Sequence, residues 1–288
     1  MPEFRLAVSC LAWKPDHLAE ALHILKQHGV TALEITPGIF GDNLTVMDAE
    51  LLRGHLADIS AHGLRIWSMQ ALLYGCAGSP ALLSAGEAGR SDMFQALSLV
   101  IRKASILGIK RLVFGSPKQR TKDGLSFKEA YALAAGFFRK VGDVAAKHEC
   151  AVCLEPNAKE YGSDWLETHE AVAELVVLTK HPAVRLQADV GTLEMTGEDP
   201  AVLSGLVPLI GHFHLSRAGL KPLGNQSPTS QWSIIAQTAL KTIYCGGYAG
   251  YASLEMLGTD DAGRNMRQLH LALKTGRKLL DPYGGLSR

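Results

Sequence analysis

Short apolar runs alternate eight times with longer segments of helical periodicity along this 288-residue chain. Each run has the length of a β-strand, and the segments between them repeat apolar residues every three or four positions. The predicted strands are residues 5–9, 32–36, 64–69, 111–116, 151–155, 184–189, 210–214 and 251–255. The predicted helices are residues 16–28, 48–62, 91–107, 126–148, 167–180, 199–206, 228–241 and 260–279. Eight strand–helix units in a chain of this length predict an α/β fold, a (β/α)₈ TIM barrel.

An open, doubly wound sheet is the alternative for alternating strands and helices. Such a sheet usually places a glycine-rich phosphate turn after its first strand, and here that stretch reads CLAWKP. No GxGxxG, P-loop, GxSxG or HExxH motif occurs anywhere. Because no linker or low-complexity tract divides the chain, we expect residues 1–288 to form a single domain. Residues 70–90 are predicted to be a long loop, either on the surface or covering the site.

The charge balance and the cysteines exclude several functional classes. Lys and Arg number 29 and Asp and Glu 28, so no net field attracts nucleic acid or a membrane. The sequence has neither a signal-peptide pattern nor an apolar run long enough to cross a membrane. The one CxxC, Cys150 and Cys153, opens a predicted strand instead of a helix, which favours a structural role. We therefore expect a cytoplasmic protein with reduced thiols, for which a homo-oligomer is allowed.

Four consecutive predicted strands end in residues that do not suit an apolar barrel. Strands five to eight end in Glu155, Asp189, His214 and Glu255, and the carboxyl ends of barrel strands meet at one mouth. One acidic residue at a strand end is usually solvated, but three carboxylates at one mouth would repel each other without a cation. Three oxygen ligands and one nitrogen ligand favour the binding of one divalent metal ion. We expect Mn²⁺, and Mg²⁺, Co²⁺ and Zn²⁺ are also acceptable. His212 lies two residues deeper than His214 on the same face, so we expect it to support the ligand or fill a barrel layer.

Six further residues lie at or just after predicted strand ends, where they could contact a substrate. They are Trp13, Glu34, Gln70, Lys118, Asn157 and Arg217. Trp13 offers an apolar face to a sugar ring, and the polar residues can bond hydroxyl groups. Core packing or capping is the alternative for Trp13 and Asn157, and a solvated turn is the alternative for Lys118.

Several stretches of the chain resemble the xylose isomerase-like TIM-barrel superfamily of sugar phosphate isomerases and epimerases. These stretches are LVFGSPKQR, LEPNAKEYGSDW, QADVGT, GHFHLS and YASLEML. The resemblance to its ketose 3-epimerase branch implies that Glu155, Asp189, His214 and Glu255 bind one metal ion. It also implies that the two glutamates exchange a proton with a substrate carbon from opposite faces.

Two positions differ from that branch. Thr192 stands where the branch has a substrate-contacting histidine, three residues after the metal-binding aspartate. Arg217 follows the predicted histidine ligand by three residues, whereas the branch has its substrate arginine six residues on. These differences disfavour a plain ketohexose as the substrate.

Together these features predict a divalent-metal-dependent isomerase or epimerase of a keto-sugar or related polyol ketone, acting by proton transfer through a metal-stabilised enediolate. Glu155 and Glu255 are the predicted acid–base pair. Strands five and eight lie three apart in a ring of eight, so their side chains can approach a bound substrate from different sides. A lyase of the superfamily, either a dehydratase or a deglycosylating enzyme, is the alternative function, because its reaction begins with the same proton abstraction. A non-catalytic sugar-binding barrel is a weaker alternative. An endonuclease IV-like nuclease is weaker still, since the charge is near neutral and few strands end in histidine.

Overall fold

The protein, seen here in a computed structural model that describes residues 4–75 and 81–284, folds around one closed barrel of parallel strands. The strands pair in sequence order, and β8 pairs with β1 to close the ring. They are β1 (Arg5–Ser9), β2 (Ala32–Ile35), β3 (Arg65–Met69), β4 (Arg111–Phe114), β5 (Ala151–Leu154), β6 (Val184–Asp189), β7 (Ile210–Leu215) and β8 (Tyr251–Leu254). Each strand overlaps its predicted run, and the predicted (β/α)₈ barrel is confirmed.

Helices connect the strands and pack around them. In the described ranges they are α1 (Leu18–Gln27), α2 (Ala49–Ala61), α3 (Gly86–Ile106), α4 (Phe127–Lys147), α5 (His169–Thr179), α6 (Val190–Thr196), α7 (Leu203–Leu206), α8 (Gln231–Cys245) and α9 (Ala262–Leu280). The sequence did not predict α6, which begins directly after β6 and is too short for a periodic pattern. α3 begins five residues before its predicted start, so the loop at 70–90 is shorter than expected, and residues 76–80 of that loop lie outside the described ranges.

α4 shows why these segments are helical. Its first turn is closed by a capping box, in which Ser126 and Glu129 each accept a hydrogen bond from the other's backbone amide. Its buried residues recur at helical spacing: Ala130, Ala134, Ala135, Phe137, Phe138, Val141, Gly142 and Ala145. This stripe packs against the barrel and α5, so burial of apolar surface fixes the helix in place.

The interior of the barrel contains a polar layer instead of a purely apolar core. Glu34, Ser68, Gln187, His212 and Ser253 are all fully buried there. Pairing registers shift in the β2–β3 and β6–β7 ladders beside Glu34 and Gln187, and such irregularities re-aim the side chains that follow. Because buried polar groups are costly unless they find partners, this layer points to a role in supporting the residues above it.

The cysteines of the CxxC are two free, buried thiols. Burial raises the pKa of Cys150 to about 11 and that of Cys153 to about 12, which disfavours the thiolate that redox exchange needs. Among residues 4–75 and 81–284, the helices are all too short or too polar to pass through a bilayer.

Candidate metal centre and active site

Four side chains from the carboxyl ends of β5 to β8 meet at one mouth of the barrel. Glu155 and Glu255 directly follow β5 and β8, Asp189 ends β6, and His214 is the second-last residue of β7. One donor atom from each of the four lies within 4.8 Å of the other three. The parallel strands all end at the same mouth, so consecutive strands deliver these residues to one place. The structure thus brings together the four residues that the sequence predicted as ligands.

His214 lies at the centre of this group. Its Nδ1 is 3.4 Å from Glu155 Oε1, 3.2 Å from Glu255 Oε2 and 4.0 Å from Asp189 Oδ2. Its Nε2 is 3.0 Å from Glu34 Oε2, and Ser253 also donates to this oxygen. A carboxylate behind the imidazole orients the ring and leaves its other nitrogen free for a ligand, as is common behind metal-bound histidines.

Asp189 is fixed from both sides. The Thr192 amide donates to Oδ1 at 2.5 Å, and the Ser216 hydroxyl donates to Oδ2. The same Thr192 uses its own hydroxyl to donate to the Pro156 carbonyl at 3.0 Å. Thr192 stands where the ketose 3-epimerase branch has a substrate-contacting histidine. In this chain it instead fixes Asp189 and the loop after β5 through these hydrogen bonds.

Glu155 is supported through Asn157 by a buried arginine. Asn157 Nδ2 donates to Glu155 Oε2 at 3.1 Å, and Arg120 Nη2 donates to Asn157 Oδ1 at 3.0 Å. Arg120 is fully buried, and burial lowers its pKa to about 10, while the charge of Glu155 opposes this fall. A side chain at Gly115 would place its Cβ 2.6 Å from Glu155 Oε2, so it would displace this carboxylate. No pattern in the sequence indicates that Arg120 supports Glu155 in this way.

Burial and mutual repulsion both shift the pKa values of the acidic groups. Burial raises the pKa of Asp189, and the nearby Glu155 raises it further. Burial raises the pKa of Glu255 to about 7, with Glu155 and Asp189 adding to the shift. Burial alone would lower the pKa of His214, but the charges of Glu34 and Glu255 raise it well above its usual range. The cluster of Asp189, Glu255 and His214 therefore retains protons near pH 7. A divalent cation could replace them, and this donor set fits one.

We expect Mn²⁺ to stabilise the protein more at about pH 7.5 than at about pH 5.5. The pKa of Glu255 rises from 4.5 to about 7 on folding, so rising pH destabilises the metal-free fold between these values. An ion must displace this proton, so its affinity falls about tenfold for each pH unit below the raised pKa. Thermal unfolding with and without Mn²⁺ at both pH values measures the effect. Glu255→Gln should remove the contribution of this proton, and an equal stabilisation of the unaltered protein at both pH values would contradict the assignment.

A cavity of about 310 Å³ opens over the carboxylates. It is lined by four of the six residues predicted to contact a substrate, namely Gln70, Lys118, Asn157 and Arg217. Gln70 is held by a 2.6 Å hydrogen bond from its Nε2 to Ser9 Oγ. Tyr161 also lines the cavity, and its hydroxyl accepts from the Gly219 amide at 3.0 Å. Sequence reasoning missed Tyr161, because nothing in the pattern after β5 shows which loop residue turns inward.

Two of the six predicted substrate contacts, Trp13 and Glu34, are not among the residues that line this cavity. Trp13 is 3% exposed and packs in the hydrophobic core, because the short 3₁₀ turn Cys10–Ala12 after β1 carries it away from the cavity. Glu34 is fully buried beneath His214, because it precedes the last residue of β2 and points into the barrel. Its oxygens also meet His212 Nε2 at 3.2 Å. Glu34 therefore supports a candidate ligand and does not line the cavity.

Comparison with solved structures finds barrels of the same architecture. A D-psicose 3-epimerase solved in the presence of D-fructose has 14% identity and a TM-score of 0.78, with 98% of this chain and 100% of that chain covered. An L-ribulose 3-epimerase has 16% identity and a TM-score of 0.78, covering 97% and 95%. The IolI protein with a bound zinc atom has 16% identity and a TM-score of 0.72, covering 97% and 99%. At these identities the similarity establishes the fold, a single-barrel α/β architecture.

The family follows from the sequence itself. The model of the xylose isomerase-like TIM barrel family matches residues 22–276, and the chain belongs to this family. A search of curated proteins finds no match. The resemblance first seen in the strand-end motifs is thereby confirmed at the level of the family.

Proposed function

We propose that this protein is a divalent-metal-dependent isomerase or epimerase of a keto-sugar or related polyol ketone. The observation that carries the proposal is the pair Glu155 and Glu255, whose carboxylates approach the same nitrogen of His214 from strands three apart in the ring. The family of the chain and the sugar epimerases among the similar structures support a carbohydrate substrate.

Glu155, Asp189, His214 and Glu255 would hold the ion. We favour Mn²⁺ because it accepts both carboxylate oxygens and an imidazole nitrogen, with Mg²⁺ and Co²⁺ also acceptable. Zn²⁺ stays an alternative that the zinc-bound IolI structure makes reasonable. When bound, such a cation polarises a substrate carbonyl and makes the adjacent C–H bond more acidic.

The residues of the chain then move the proton. Asn157 fixes Oε2 of Glu155, so Oε1 is the oxygen left facing the centre of the site. Glu255 presents Oε2 to the same centre from β8. One carboxylate removes the proton from the substrate carbon, and the other, having taken up a proton from solvent, donates it on the opposite face, which inverts that carbon. The first carboxylate then releases its proton to solvent.

Other cavity residues would bind the rest of the substrate. Lys118, Gln70 and Arg217 line the cavity and can bond hydroxyl groups around the reacting carbon. Arg217 Nη2 lies 3.9 Å from Glu194 Oε1, and Glu194 Oε2 also accepts from the Ala218 amide. Glu194 therefore restrains the arginine near the wall of the cavity.

Incubation of the protein with Mn²⁺ and a panel of keto-sugars in D₂O tests the proposal. We expect interconversion of one pair of epimers or isomers, with deuterium at the reacting carbon and no turnover after chelation of the metal. Conversion without solvent label would instead indicate a hydride shift, and an unsaturated product would indicate elimination. Tight metal binding with no conversion of any keto-sugar would contradict catalysis and favour a sugar-binding barrel.

A further inference from the structure

Arginines mark the other mouth of the barrel. Arg5, Arg65 and Arg111 are the first residues of β1, β3 and β4, and Arg185 is the second residue of β6. All four therefore lie at the amino-terminal mouth, opposite the carboxylates. Four guanidinium groups of a chain with a net charge of +1 thus lie at one end of its barrel.

A cavity of about 460 Å³ opens at this mouth. Arg111, Arg185 and Trp67 contribute to its wall, and the glycine-rich segment 246–250, GGYAG, completes it. An adjoining depression shares Arg111 and Arg185 and includes Glu149. Glu149 already pairs with Lys110 at 3.3 Å, so this carboxylate is offset by a lysine.

Backbone carbonyls hold the two central arginines without neutralising them. Arg111 donates from Nε to the Gly211 carbonyl at 2.8 Å and from Nη1 to the Lys110 carbonyl at 2.9 Å. Arg185 donates from Nη2 to the Pro208 carbonyl at 2.5 Å. Within residues 4–75 and 81–284, no carboxylate forms an ion pair with Arg65, Arg111 or Arg185. The guanidinium groups are therefore fixed in place with donors and charge to spare.

Trp67 brings two of these positive charges to one aromatic ring. The guanidinium carbons of Arg65 and Arg111 lie 5.7 and 5.5 Å from the centre of its indole ring. Like charges gathered in this way favour an anion between them. Ala249 and Gly250 line the same cavity, and their amides donate no hydrogen bond to any described residue, which leaves both donors available to an anion.

We propose that this amino-terminal mouth binds the phosphate group of a small molecule between Arg111, Arg185 and the segment 246–250. The planar guanidinium group matches the oxygens of a phosphate with two parallel hydrogen bonds. A concave site of this size accommodates a phosphorylated metabolite as well as the free ion. The site lies at the opposite mouth from the metal centre and does not rest on the proposed activity.

Backbone amide NMR of the metal-free protein tests the site at low salt, about 20 mM, where charge interactions are least screened. The probes are inorganic phosphate, pyrophosphate and ribose 5-phosphate, added in separate titrations. We expect saturable shifts of the Ala249 and Gly250 amides, with Arg111→Gln and Arg185→Gln each weakening binding about tenfold or more. Tighter binding of ribose 5-phosphate than of phosphate would identify a phosphorylated metabolite as the ligand, and the reverse would identify the free ion.

Arg139→Gln is the matched control. Arg139 on α4 also donates to backbone carbonyls, those of Thr179 and Leu178 at 2.8 and 3.3 Å, but does not line this cavity. Its loss should leave the titration unchanged. If a glutamine variant fails to fold, Arg111→Lys and Arg185→Lys keep the charge and lose the planar fork, and we expect weaker binding with normal folding. The proposal is overturned by unsaturable shifts, by shifts confined to the cavity around Lys118, or by equal binding to the arginine variants.

Discussion

Glu155→Gln and Glu255→Gln should each reduce kcat on a responsive keto-sugar by several orders of magnitude. Loss of an acid–base group typically costs about 10²–10⁴-fold, and each glutamate is also a candidate metal ligand. A glutamine keeps the size of the side chain but cannot transfer the proton. We expect each variant to retain proton exchange with one epimer, through the remaining carboxylate, and to lose interconversion of the two epimers.

The measurement is kcat at saturating Mn²⁺ together with the exchange of substrate label into water for each epimer separately. Glu160→Gln is a suitable control, because Glu160 is an exposed glutamate in the loop after β5 and does not line the cavity. Near-normal interconversion by either active-site variant would contradict a two-base reaction. Loss of exchange with both epimers in both variants would show instead that the glutamates act mainly as ligands.

Asp189→Asn should reduce the affinity for Mn²⁺ more than any change behind the ligands does. Asparagine caps a helix as well as aspartate, so α6 should keep its N-cap while the site loses one negative charge. Glu34→Gln changes the group behind His214 without removing a candidate ligand, and loss of such a group typically costs about 10–100-fold in metal affinity. We expect Asp189→Asn to weaken the binding of Mn²⁺ by a larger factor than Glu34→Gln does.

Titration calorimetry and elemental analysis after dialysis measure the two variants side by side. Asp199→Asn is the matched control, because Asp199 caps the 3₁₀ turn Pro200–Val202 through the same kind of hydrogen bond. It is neither a candidate ligand nor part of the cavity lining. A full equivalent of tightly held metal in Asp189→Asn would overturn the assignment of the ligands. Equal affinities of Glu34→Gln and the unaltered protein would show that His214 is oriented without Glu34.

The barrel and its mouth could be predicted because both depend on local patterns. Strand-length apolar runs are easily recognised between amphipathic helices such as α4, and a closed ring follows from their number. The candidate ligands could be predicted for the same reason. One acidic residue at a strand end is usually solvated, but residues such as Glu155 and Glu255 end four consecutive strands, and parallel strands carry them to one face.

The supporting residues could not be predicted, because their roles depend on contacts between distant segments. Whether Glu34 faces the cavity or the interior depends on its exact place in β2, and a register shift beside it obscures the alternation. Arg120 follows a turn in which Ser116 adopts a left-handed backbone, and no periodicity reveals that its guanidinium turns inward. Tyr161 reaches the site through a short 3₁₀ turn, Lys159–Tyr161, that has no characteristic spacing.

The contact between Glu34 and His214 joins segments 180 residues apart. The candidate ligands all come from the second half of the chain, β5 to β8, whereas Glu34 comes from β2. During synthesis, the later half of the chain can therefore present every ligand, yet His214 gains its carboxylate partner only when the early strands have closed the ring. The proposed metal site is therefore complete, with Glu34 behind His214, only in the closed barrel.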